Sequence, residues 1–220
     1  MKRLIIAIDG PSGAGKGTVA RAVAGSLGYR HIDSGAMYRA VAWQALHTSI
    51  AWDDEPAVTR IAESSRIDVS AAGVVIDGLD VTRQIRTPEI DRAAAAVAKL
   101  PAVRRVLVAR QRALGDGGGV VMEGRDIGTV VFPLADVKIY LDATAEERAR
   151  RRASDAAHTG GPEQVAEVVT LLSERDRSDQ TRAASPLYAA SDAVFIDTTG
   201  KTVDEVVDAV MATVKSRIGN

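Results

Sequence analysis

The chain has no cysteine and few aromatic residues: two Trp, four Tyr and two Phe in 220 positions. Without cysteine it has no disulfide and no thiolate metal site, which suits a reducing compartment. So few rings leave little surface for stacking on bases. A formal net charge of −1 offers no general attraction for a polyanion, so no nucleic-acid partner is expected. Long apolar runs are missing too. The run Leu4-Ile5-Ile6-Ala7-Ile8 ends at Asp9, too short for the apolar core of a secretory signal, and no later run approaches a membrane span. A cytoplasmic protein with no membrane partner is expected. The three histidines, His31, His47 and His158, are scattered. They suggest neither a catalytic role nor a structural metal. No internal repeat is visible.

What is present begins directly after that first apolar run. Residues Gly10, Pro11, Ser12, Gly13, Ala14, Gly15, Lys16, Gly17 and Thr18 form a glycine-rich loop between a strand pattern and a helical pattern over Val19–Leu27. In that setting the motif reads as a phosphate-binding loop. Its backbone N–H groups can form a nest for phosphate oxygens, and the helix N-terminus points its dipole at the same place. Lys16 can reach the outer phosphates, and Thr18 offers a hydroxyl to Mg²⁺. The residue after Lys16 is glycine, with threonine one later, a departure from the general G-x-x-x-x-G-K-[ST] pattern.

Arginine outnumbers lysine, 22 to six, and clusters at Arg148, Arg150, Arg151 and Arg152 and again at Arg175, Arg177 and Arg182. Guanidinium forks grip phosphate in bidentate fashion. Short apolar runs at Leu4–Ile8, Val120–Glu123, Val137–Leu141 and Ala193–Ile196, with a shorter candidate around His31-Ile32, read as buried parallel strands. Helical patterns lie between them, over 17–27, 35–47, 102–114, 145–156, 163–177 and 203–217. The alternation predicts an α/β layer fold. Gly28 is placed to end the first helix, and Asp33-Ser34 to cap the second. Period-two alternation over 67–81, with Asp77-Gly78 as a hairpin turn, predicts a small antiparallel insert. Ala157–Pro162 breaks two Arg-rich helices and reads as the tip of a flap.

Five segments together resemble bacterial cytidylate kinases: Asp9–Thr18, Asp33–Arg39 (DSGAMYR), Ile85–Ile90, Val121–Pro133 (VMEGRDIGTVVFP) and Glu174–Leu187 (ERDRSDQTRAASPL). They keep the family's order along nearly the whole chain. The resemblance implies transfer of the ATP γ-phosphoryl group to CMP or dCMP, with Mg²⁺. It implies a three-layer α/β P-loop kinase core (1–56, 96–150 and 179–220) with a parallel sheet. A nucleotide-binding β insert (57–95) and a short helical lid (151–178) would complete it, in a protein acting as a monomer. Rival readings are a kinase of UMP, dTMP or a polyol on the same fold, and a nucleotide-binding regulator that signals by shape.

Carried over residue by residue, the resemblance implies that Gly10–Thr18 cradle the donor phosphates and that Thr18 ligates Mg²⁺. Asp9 or Asp126 would hold the ion's waters, or Asp9 would simply cap the loop. Ser12, Ser34, Arg39, Arg125 and Arg182 would hold the CMP phosphate. Tyr38, Arg175 and Asp179 would meet the ribose, and Arg110 and Asp126 the cytosine edge. Lys16, Arg125, Asp126 and Arg182 would carry the transfer. Helical spacing puts Arg148, Arg151 and Arg152 on one face, which is expected to meet ATP, with Arg150 in solvent. Each of these arginines has a plainer alternative as a solvated helix residue, and Asp179 as a simple partner of Arg175 or Arg182. Where the family carries a base-binding serine before Val97-Ala98, this chain has Ala95.

Overall fold

The computed structural model describes residues 3–154 and 165–218. Among these, five parallel strands form the central sheet: β1 (Ile5–Asp9), β2 (Arg30–Asp33), β6 (Val120–Gly124), β7 (Val137–Asp142) and β8 (Val194–Asp197), in the order β2-β6-β1-β7-β8. β1 and β6 run in register, Asp9 opposite Gly124. Their carboxyl ends therefore deliver the glycine-rich loop and the Gly124-Arg125-Asp126 segment side by side, where open α/β sheets bind ligands.

Helices cover both faces. α1 (Lys16–Leu27) and α8 (Val203–Ile218) pack on one face, with Val19, Val23, Val206 and Val210 against Ile6, Ile8, Ile139 and Leu141. On the other face, Val108 of α5 (Pro101–Leu114) meets Ala7, Ile32 and Met122. α2 (Ser34–His47), α3 (Glu55–Ser64) and α4 (Pro88–Val97) join α5 in a second apolar cluster around Met37, Val58, Val97 and Leu107. Two further helices, α6 (Ala145–Ala153) and α7 (Val165–Thr181), meet through Ala149, Val168 and Leu172.

Local chemistry accounts for the boundaries. Gly28 closes α1 by donating its N–H to Ala24 and Gly25 carbonyls. Asp33, Asp54 and Thr87 accept hydrogen bonds from backbone N–H groups in the first turns of α2, α3 and α4, the N-cap device. The hairpin of β3 (Ile67–Ser70) and β4 (Gly73–Ile76) continues into β5 (Leu79–Asp80) through Asp77-Gly78. Both turn residues have positive φ, 50° and 84°, as a two-residue turn of this twist requires.

Two local expectations differ from the structure, and one turn was not foreseen. The stretch around the hairpin is not only strands: α3 leads into it and α4 leads out. β8 is not buried but the sheet's exposed edge, with Phe195 58% exposed. After β6 the chain makes a π-helical turn, Ile127–Val131. The expected flap tip at 157–162 lies outside the described residues.

Candidate active site

At the carboxyl ends of the central strands lies a cavity of about 1050 Å³. Twelve of its lining residues are Lys or Arg, against four carboxylates, Asp33, Glu123, Asp126 and Asp179. In a chain of net charge −1, this gathers positive charge in one place. Like charges at partly desolvated sites repel strongly, so the arrangement suits a ligand that carries several negative charges.

The glycine-rich loop forms one wall. Gly13 has φ +79°, and a Cβ there would lie 2.8 Å from atoms of Arg148 on α6; only glycine fits both the angle and the space. After Lys16, a Cβ at Gly17 would sit 2.9 Å from Glu123 Oε1, the movable end of that side chain, and the hydroxyl of the motif is carried one residue on, by the exposed Thr18. Lys16 is 7% exposed and donates to the Pro11 carbonyl at 2.7 Å. Burial, helped by the charge of Arg125, pushes its pKa down to about 7. Asp9 is not among the residues that line the cavity. It accepts the N–H groups of Ile127 and Gly128 at 2.8 and 2.7 Å, tying the loop's base to the π-helical turn. Burial raises it to about 6.

The opposite wall carries the other set. Ser34 donates to the Glu123 carbonyl at 2.6 Å. Tyr38 is buried with its hydroxyl unpartnered, and burial pushes its pKa to about 12. Arg39 bonds Asp91. Burial opposes its charge, but Asp91 and Asp33 outweigh that and raise its pKa. Asp179 is gripped by Arg125 at 3.0 Å and lies 3.6 Å from Arg182. Burial works to raise its pKa, but Arg125, Arg175 and Arg182 hold it below the usual carboxylate range. Arg182 donates to the Ser185 carbonyl at 2.6 Å, and its pKa is lowered by burial and by Arg104. Tyr38, Arg39, Arg125, Asp126, Arg175, Asp179 and Arg182 all line the cavity.

Four expected residues are not among those lining the cavity: Gly10 and Pro11 at the start of the loop, Arg110 and Arg148. Arg110 does not line the cavity; it donates to the Ser65 and Glu63 carbonyls at 2.6 and 2.8 Å, tying α5 to the end of α3. Arg104, six residues earlier on α5, does line the cavity. Arg104 is 4% exposed, ion-paired with Asp126, and its guanidinium lies 5.5 Å from the Tyr38 ring centroid. It lines the cavity together with Ala94, Ala95 and Ala98. Its signal was readable: it falls on the stripe Arg104, Leu107, Val108, Gln111, all buried, and an arginine on such a face needs a partner inside. Arg148 likewise is not a cavity residue. It packs behind the loop, donating to the Ser12 carbonyl at 3.1 Å and to Asp176 at 2.5 Å. Arg151 and Arg152 do reach the cavity, Arg151 through bonds to Thr198. Arg150 is in solvent, paired with Glu147.

A family model described as "Cytidylate kinase" matches residues 6–216. A cytidylate kinase from Desulforamulus reducens is 50% identical over 213 residues, covering 96% of each chain. One from Pelotomaculum thermopropionicum is 49% identical, again covering 96% of each. One from Solibacter usitatus is 45% identical across 100% of this chain and 95% of its own length. Among solved structures, a gluconokinase from Sinorhizobium meliloti superposes with a TM-score of 0.51 at 14% identity, covering 100% of this chain and 96% of its own. That likeness is one of fold.

Proposed function

The chain belongs to the cytidylate kinase family and is an ATP-dependent kinase of CMP and dCMP; on that premise we propose how its residues divide the work. The γ-phosphoryl group passes from ATP to an acceptor phosphate oxygen, leaving ADP and CDP or dCDP. This chemistry asks for alignment and for positive charge, with little covalent participation by the protein. The observation that carries the assignment is the cavity's twelve cationic side chains against four carboxylates, split between the glycine-rich loop and the opposite wall.

The loop's N–H groups, with Arg151 and Arg152, hold the donor phosphates. Arg39, Arg125, Arg182 and Ser34 hold the acceptor phosphate. Lys16 sits where the moving group crosses, and phosphate oxygens there restore the proton that burial disfavours. Tyr38, Arg175 and Asp179 take the ribose. Arg104, in place of Arg110, reads the base with Asp126. In this scheme residues 57–95 act as the acceptor-binding insert and 151–178 as the lid of a cytoplasmic monomer.

The residues present fit Mg²⁺. Thr18 and Glu123 both line the cavity, with Glu123 Oε1 close to Gly17, and hard oxygen donors of this kind suit the ion. Among the described residues no cluster of three or more His, Asp or Glu could hold a metal, so nucleotide oxygens and water would complete its shell. When bound, the ion neutralises charge on the phosphates.

Arg125→Ala tests the scheme. It should lower kcat at least about 10²-fold, because an enclosed phosphate loses a charged donor. A variant within about twofold of the parent, with unchanged melting, removes Arg125 from the site.

A further inference from the structure

Asp91 lies in the first turn of α4. Its Oδ1 receives Arg39 Nε at 2.9 Å and Arg39 Nη2 at 2.8 Å. Arg175 Nη1 lies 3.8 Å from the same oxygen, and Arg152 bonds Oδ2. The three arginines come from α2, α7 and α6, and all three line the cavity. Asp91 is not among the lining residues, so it grips their forks from behind. The pair Arg39–Asp91 is largely buried, with side chains 11% and 12% exposed.

We propose that Asp91 is a positioning residue that couples the two nucleotide sites, joining the acceptor-side Arg39 to the lid-side Arg152 and Arg175 so that a bound donor tightens acceptor binding. The proposal rests on the residue assignments made above. The Nε of Arg175 is buried without a partner. Burial and the charges of Arg125 and Arg39 push Arg175 down to about 10. Ligand oxygens would supply an acceptor there. Each site then gains from the other's occupancy, because both act on arginines that Asp91 holds together, and such coupling is reciprocal. Without Asp91 the arginines of α2, α6 and α7 lose the acceptor they share.

The plainer alternative is that Asp91, with Glu89, only favours the helix dipole of α4. That role affects melting and leaves coupling alone. The discriminating quantity is therefore the ratio of CMP dissociation constants without and with saturating ADP, measured by calorimetry, ADP replacing ATP so that turnover stops. In the parent protein the ratio should exceed about five. In Asp91→Asn it should fall to within about twofold of unity. Asp91→Ser, which removes the charge with less bulk, gives the same reading if the first variant does not fold. Arg152→Ala added to either should cause no further loss, because the two act through one contact. A ratio retained in the Asp91 variants, or a parent ratio of one, overturns the proposal. If the parent protein binds no CMP at all, the residue assignments fail with it. If it binds and couples while Asp91→Asn does the same, only the role of Asp91 fails.

Discussion

Arg104 and Arg110 stand six residues apart on one helix, and they should respond to mutation in opposite ways. Arg104→Met keeps the stem and removes the guanidinium. Asp126 then keeps Arg182 at 3.9 Å and loses its nearest partner. A hydrogen bond to a charged group contributes about 1.5–3 kcal/mol, so kcat/KM for CMP should fall roughly 10- to 100-fold. Breaking a buried pair from one side also costs about 3–5 kcal/mol of stability. In a chain of this length that is a fall of roughly 6–20 °C in Tm. Arg110→Ala should do the reverse. It removes two bonds to carbonyls at the end of α3, one of them exposed, for a loss of about 1–3 kcal/mol and a few degrees of melting. Its CMP kinetics should stay within about twofold of the parent. ADP-release kinetics with CMP and UMP, run beside melting curves, read both quantities. Arg110→Ala raising the CMP KM tenfold while Arg104→Met leaves it untouched would refute the assignment and return base reading to Arg110.

Three further outcomes follow from the same geometry. Ala95 lines the cavity beside Arg104, so Ala95→Ser should add a hydrogen bond and tighten CMP roughly twofold to tenfold; a titration with no gain means that the new hydroxyl finds no partner on the base. Lys16 has a pKa near 7 in the free protein, below its ordinary value. Above pH 7 it is therefore mostly neutral, and phosphate oxygens raise its pKa again. ATP binding at pH 8 should take up protons, seen as a dependence of calorimetric heat on buffer ionisation, and Lys16→Met should abolish the uptake. Buffer-independent heats in the parent protein would sink this account of Lys16. Finally, if Asp179 accepts the ribose 2′-hydroxyl, Asp179→Ala should lower kcat/KM for CMP about tenfold or more relative to dCMP; an equal fall for both assigns the carboxylate to holding Arg125 and Arg182.

Much of this site was legible in the residues. The loop announces itself through spacing and its strand–helix setting, and the Gly-Arg-Asp segment through its place after an apolar strand. What stayed hidden depends on tertiary contacts. Helical spacing puts Arg148, Arg151 and Arg152 on one face but does not say that Arg148 turns behind the loop to Asp176. The apolar run of β8 reads as buried because a sequence does not reveal that a strand has a neighbour on one side alone. α3 and α4 carried signals, in Asp54-Glu55-Pro56 and Thr87-Pro88-Glu89, that the stronger hairpin pattern between them overshadowed. The π-helical turn has no periodic signature; it exists because Asp9, 118 residues earlier, holds the N–H of Ile127. Asp91 had no signal of its own, since one acid in a helix's first turn is ordinary until three arginines converge on it.

On this reading the cavity moves phosphoryl groups onto cytidine monophosphates. The most direct measurement is ADP production with ATP and Mg²⁺ against CMP, dCMP, UMP, AMP and dTMP in parallel. CMP and dCMP should support turnover with kcat/KM at least about tenfold above each of the others, the discrimination that buried polar groups confer on a hydrogen-bonded base. Equal or faster turnover with UMP, AMP or dTMP, or no ADP formation dependent on CMP, would contradict it.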